Sequence, residues 1–94
     1  MSLLNDKLNT WAETDGIDYT DTELGIAHCF KWPVPKLQDK GYMVELYSYE
    51  QKGYKVSVYH ITGQVDIPVA ITTNETPALA VCLAIEKLID GEEK

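Results

Sequence analysis

The sequence predicts an α+β fold in a single domain over residues 1–94: a four-stranded, mostly antiparallel sheet with an N-terminal helix and a buried C-terminal helix. Three observations carry this. Large apolar residues alternate with small or polar ones in stretches between Leu24 and Ile71, as in strands whose successive side chains face opposite ways. The last three of these stretches are joined by short loops, which implies antiparallel pairing. From Ala78 to Ile89 every residue is apolar except Glu86 and Lys87, which predicts a helix covered on more than one side.

Taken in order, Ser2 is a good N-cap, and Leu4, Leu8 and Trp11 share one face of a helix over residues 3–13. Asp15-Gly16 stops it, and Asp18 to Glu23 is polar and acidic, a loop or a poorly paired strand. Leu24, Ile26, His28, Phe30 and Trp32 then alternate with Gly25, Ala27, Cys29 and Lys31, which reads as the first strand. Pro33-Val34-Pro35 ends it, because proline cannot donate to a ladder. A polar connection around Leu37 leads to a strand from Met43 to Tyr49. Glu50 to Gly53 forms a hairpin loop, and Tyr54 to Ile61 is the next strand. After Thr62-Gly63-Gln64, the residues Val65, Ile67, Val69 and Ile71 make the last strand, with Pro68 marking an edge or a bulge. Thr76 is the N-cap and Pro77 the first-turn proline of the C-terminal helix, which Asp90-Gly91 ends. Phe30, Trp32, Tyr47, Tyr49 and Tyr59 put aromatic groups on both sheet faces. That predicts either helices on both sides or a face used in assembly.

Composition excludes several functions. The chain has 94 residues, which suits one domain, and its 45% hydrophobic and 24% charged residues are those of a folded protein. Its net charge is −7, and all eight cations are lysines. Without arginine there is no guanidinium fork to clamp phosphate or read guanine, so direct nucleic-acid binding is not expected. The acid is uneven: residues 1–24 carry Lys7 against six carboxylates, whereas residues 25–60 carry five lysines against three. No apolar run is long enough to span a membrane. The first residues lack the basic start and apolar stretch of a signal peptide. The expected location is therefore the cytoplasm, with Cys29 and Cys82 reduced.

The segment Thr73-Asn74-Glu75-Thr76-Pro77-Ala78-Leu79-Ala80-Val81-Cys82-Leu83-Ala84-Ile85-Glu86-Lys87-Leu88 resembles the end of the phage ABA (α-β-α) sandwich domain family, a strand, a Thr-Pro turn and an Ala/Leu-rich helix. Trp11 and Trp32-Pro33 are similar to that family's tryptophan-bearing N-terminal half. The resemblance implies phage or prophage origin and an α-β-α sandwich, and it brings no catalytic or binding residues with it. Where the family has a helix after its Trp-Pro segment, this sequence predicts only the short connection from Pro33 to Gly41.

Catalytic signatures are missing: there is no glycine-rich phosphate loop, GxSxG or HExxH. Neither His28 nor His60 has a partner at catalytic spacing, and Cys29 and Cys82 read as small core residues. No metal and no cofactor are expected. Asp15, Asp18, Asp21 and Glu23 form a candidate acidic patch, solvated or facing a basic partner. Tyr47, Tyr49, Tyr59 and Trp32 form a candidate interface, because tyrosine and tryptophan offer large contact area at low entropic cost. The expected function is a non-enzymatic protein-interaction module with a protein partner, itself or a host or phage protein. The alternatives are a ligand pocket between the sheet and the last helix, or acidic inhibition of a host enzyme.

Overall fold

The computed structural model describes residues 3–49, 53–61 and 68–92. Leu8 roots α1 (Leu3–Ala12) in the core, and Leu4 and Trp11 pack beside it. The chain then loops to α2 (Gly25–Lys31), turns at Trp32 and enters α3 (Pro33–Asp39). Three strands follow, β1 (Tyr42–Tyr49), β2 (Gly53–His60) and β3 (Ala70–Asn74), and α4 (Pro77–Glu92) completes the order. The sheet is an antiparallel meander in the order β1-β2-β3. Its register pairs Val44 with Val58 and Leu46 with Val56 on one side, and Val56 with Thr72 on the other.

All the helices lie on one face of this sheet. α4 packs on β2 and β3, α3 packs on β1, and α1 and α2 pack against α3 and α4. The core sits between the layers, where Val56, Val58 and Ala70 meet Ala80, Val81, Ala84, Ile85 and Leu88. α4 is apolar round most of its girth because α1 and α2 cover the sides that the sheet leaves open. Thr76 caps it through Oγ1, which accepts from Leu79 N at 3.3 Å. Buried Thr72 donates to the Ala80 carbonyl at 2.6 Å, tying β3 to the helix. The radius of gyration, 12.5 Å, is that of one compact domain of this length. Among the described residues no helix is long and apolar enough to cross a membrane.

The sheet has three strands among the described residues, not the four expected. The segment read as the first strand is α2, and the connection around Leu37 is α3. The period-two pattern sets Leu24, Phe30 and Trp32 on one side of a strand; in the structure all three are exposed on the helical layer. What is buried is the stripe Gly25, Cys29, Pro33 and Leu37, four residues apart, which is a helical period. Small residues on this stripe let α2 close tightly on its neighbours. Pro33 stands at the start of α3, where its missing N–H costs no bond. At the other end, α4 continues through Gly91 to Glu92. The proposed N-cap Ser2, the hairpin residues 50–52, the connection 62–64 and the strand residues Val65 and Ile67 lie outside the described residues.

Two buried asparagines shape the link between α1 and α2. Asn9 donates to the carbonyls of Asn5 and Ile17 at 2.9 and 2.8 Å, and its own oxygen accepts from the Thr14 hydroxyl and Ile17 N. Asn5 accepts from Tyr19 N at 2.9 Å and donates to Asp18 at 2.7 Å. Tyr19 is thereby drawn fully into the core, and its hydroxyl lies 2.6 Å from that of Thr14. No described buried side-chain polar atom lacks a partner.

Gly25 is required by contact. A Cβ there would lie 2.4 Å from the Tyr19 carbonyl oxygen and 2.9 Å from the Ala78 Cβ. Gly25→Ala is expected to lower the unfolding free energy by about 1–3 kcal/mol in urea titrations. Gly91→Ala meets nothing within 4 Å and is expected to be neutral or to stabilise by less than about 1 kcal/mol. Asn9→Ala removes the partners of Ile17 and Thr14, and is expected to cost at least about 2 kcal/mol in the same titrations.

Candidate functional site

The face of the sheet turned away from the helices carries Glu45 and Tyr47 from β1, Lys55, Ser57 and Tyr59 from β2, and Ile71 and Thr73 from β3. Alternation along each strand puts them there, and the register sets Glu45 beside Ser57, Tyr47 beside Lys55 and Ser57 beside Ile71. Ser57 is the smallest of these and the central one. Tyr47, Tyr59 and Ile71 rise around it, leaving a shallow depression of about 780 Å³ that Pro68 also lines. Ser57 itself is only 2% exposed, whereas Tyr47 and Ile71 are 40% and 43% exposed. The face is thus an apolar and aromatic rim over a polar floor.

Its polar groups are partly preset. The Tyr47 hydroxyl donates to Glu45 Oε2. That bond, followed by the Tyr59 hydroxyl, pushes the Tyr47 phenol up to about 12. Tyr47 therefore stays protonated and a hydrogen-bond donor throughout the physiological range.

Of the four residues named for an interface, the structure brings Tyr47 and Tyr59 together at this depression. Tyr49 ends β1 opposite Gly53, and its side chain lies outside the described set. Trp32 does not join them. It sits between α2 and α3 in the helical layer, 42% exposed, with the Lys31 ammonium 5.2 Å from its ring centroid. Lys55, Ser57 and Ile71 were not named from the sequence. The signal was present, since Lys55 and Ser57 share the parity of Tyr59, but only the register adds Ile71.

The space between α4 and the sheet, where the alternative reading sets a ligand pocket, holds Val56, Val58, Val81 and Ile85, all fully buried. His60 is exposed and stacks on Tyr42 with ring centroids 4.5 Å apart. Cys29 and Cys82, far apart in sequence, meet in the core with their sulfurs 3.7 Å apart.

The acidic segment is built into the fold. Asp18 Oδ1 accepts from Asn5 at 2.7 Å and from the hydroxyl and amide of Thr20 at 2.8 and 3.1 Å. The Thr20 hydroxyl, followed by the Asn5 amide, holds this carboxyl below its ordinary 3.8. Asp21 Oδ1 accepts from the amides of Leu24 and Glu23, and those bonds lower its pKa too. Asp15 and Glu23 are exposed. No group of three metal-ligating side chains occurs among the described residues.

No family model matches the chain, and no curated protein or solved structure matches it either.

Because Asp18 and Asp21 bind protons less readily when folded, their stabilisation is present above their ordinary pKa of 3.8 and is lost as the pH falls through the lowered folded values. Urea midpoints are expected to hold near neutrality and fall with acidification below about pH 4. Asp21→Asn keeps a capping oxygen, and its acid-induced loss is expected to be smaller than that of the parent.

Proposed function

We propose that this protein is a non-catalytic protein-interaction module that offers the bare face of its sheet to a protein partner. The observation that carries the reading is the one-sidedness of the fold. Every described helix packs on the same side, and the opposite face carries Tyr47, Tyr59 and Ile71 around the Ser57 floor, with no described helix or strand folded over them. Tyrosine beside an aliphatic group, with Lys55 and Glu45 at hand for polar contacts, is the composition of a recognition surface. Among the described residues β1 and β3 each pair with one strand only. Their outer edges therefore present backbone donors and acceptors that an extended segment can join.

Size bears on the kind of complex. Three strands spaced about 4.8 Å apart and rising about 3.4 Å per residue give a face of roughly 340 Å² in plan. A standard interface buries about 800 Å² per partner. The face alone suits a weak, reversible contact, and the first partner to test is a second copy of the chain. Phage or prophage origin remains part of the reading, resting on the resemblance of Thr73 to Leu88. The depression also suits a flat, partly apolar small molecule, which is the second reading. Its lining, more apolar than polar and widely open, favours the larger and flatter surface of a protein.

Sedimentation velocity over a range of concentrations tests this. The parent chain is expected to associate weakly, and Tyr59→Glu to be monomeric with an unchanged circular dichroism spectrum. If the parent is a strict monomer, immobilised parent and Tyr59→Glu chains are compared for partners held from a bacterial lysate. A strict monomer whose captured proteins are the same with either bait overturns the reading.

A further inference from the structure

The cysteines carry an inference independent of the sheet face. α2 contributes Cys29 and α4 contributes Cys82, and both are fully buried. Their sulfurs lie 3.7 Å apart although the residues are separated by 53 positions. Both thiols also point at one acceptor, the Tyr19 carbonyl, at 3.8 Å from Cys29 and 3.2 Å from Cys82. A shared acceptor fixes the direction of both Cβ–Sγ bonds, so the two sulfurs converge. Disulfide bonding needs a separation of about 2.05 Å, a closure of about 1.6 Å from the present contact.

We propose that Cys29 and Cys82 are a latent cross-linking site, at which a two-electron thiol oxidant joins α2 to α4 through an intramolecular disulfide. The step is balanced as follows. Both S–H bonds break and one S–S bond forms. Two electrons and two protons pass to the oxidant, which for a diazene such as diamide becomes the hydrazine. Contact with the Cys29 thiol, reinforced by burial, pushes the Cys82 thiol up, so in the closed fold it stays protonated and slow to react. Reagent enters through local opening of α2, a helix of only seven residues. Once one sulfur has reacted, the second lies beside it and displaces the adduct before another molecule can. Oxidation removes two S–H donors from the Tyr19 carbonyl, but these are weak donors. The cross-link closes a long loop and constrains the unfolded chain far more.

The test uses the full chain in two arms. In one, diamide is added to the native protein. In the other, the chain is oxidised in urea at high dilution and then refolded. Both arms are expected to yield a monomer lighter by two hydrogens, with no thiol titratable after denaturation. Both should contain a proteolytic fragment linking residue 29 to residue 82. The oxidised chain is expected to keep its native circular dichroism and to melt several degrees higher, and dithiothreitol to reverse the shift. Cys29→Ser and Cys82→Ser should each lose the mass change and the melting shift together. A urea-oxidised chain that refolds with a lower Tm, or without native circular dichroism, overturns the geometry. Persistent free thiols in the native arm, or only oxidant adducts and intermolecular dimers, overturn the site as one that oxidants reach.

Discussion

The Tyr19 carbonyl lies where the segment after α1, the start of α2 and the middle of α4 converge. Asn5 holds the Tyr19 amide, Thr14 meets its hydroxyl, and its carbonyl oxygen takes the thiols of Cys29 and Cys82. Gly25 passes so close to that oxygen that a side chain would not fit. Irregular chain inside a protein is tolerated only when its backbone groups find partners. Here Asn5 and Asn9, one turn apart on α1, supply those partners as a strand would. With Tyr19 seated, α2 can close on α4, and α3 is brought beneath β1. The helical layer is therefore assembled around one residue of a segment that has no regular structure of its own.

This arrangement decides what is left exposed. α1 and α2 crowd round α4 while α3 packs on β1 beside them, so none of these helices is available for the other face. Among the described residues the three-stranded sheet then keeps one face free of helices, and the aromatic groups on that face are not needed to close the core. The acidic segment shows the converse. Asp18 and Asp21 look like surface charge in the sequence, yet each carboxylate accepts backbone or side-chain hydrogen bonds that shape the approach to α2. Both carboxylates thus have a role in the fold itself.

Much of this was legible from the residues. Leu4, Leu8 and Trp11 locate α1, Thr76-Pro77 marks the start of α4, and Gly53 opens the second strand of a hairpin whose pairing follows from its short loop. Alternation from Tyr54 onward already separates Val56 and Val58 from Lys55, Ser57 and Tyr59, so half of the candidate surface could be read. The stretch from Leu24 to Trp32 was read as a strand because its large residues alternate. Its buried residues, Gly25 and Cys29, are small and four apart, and a pattern sought among large apolar groups passes over them. Tyr19 was hidden for a related reason: among acidic neighbours it looks solvated, and only the asparagines of α1 draw it inward.

By itself the sequence determined the elements whose signals are local. These are the caps, the period of a long amphipathic or apolar run, the short turns that force antiparallel pairing, and a cationic complement without arginine. The tertiary structure alone decided which side of the sheet the helices take, that Cys29 and Cys82 meet, and that Tyr47, Tyr59 and Ile71 share one depression. Each of these joins residues far apart along the chain. Their proximity follows from close packing around Tyr19 and from strand register, and neither leaves a periodic trace in a single stretch of sequence.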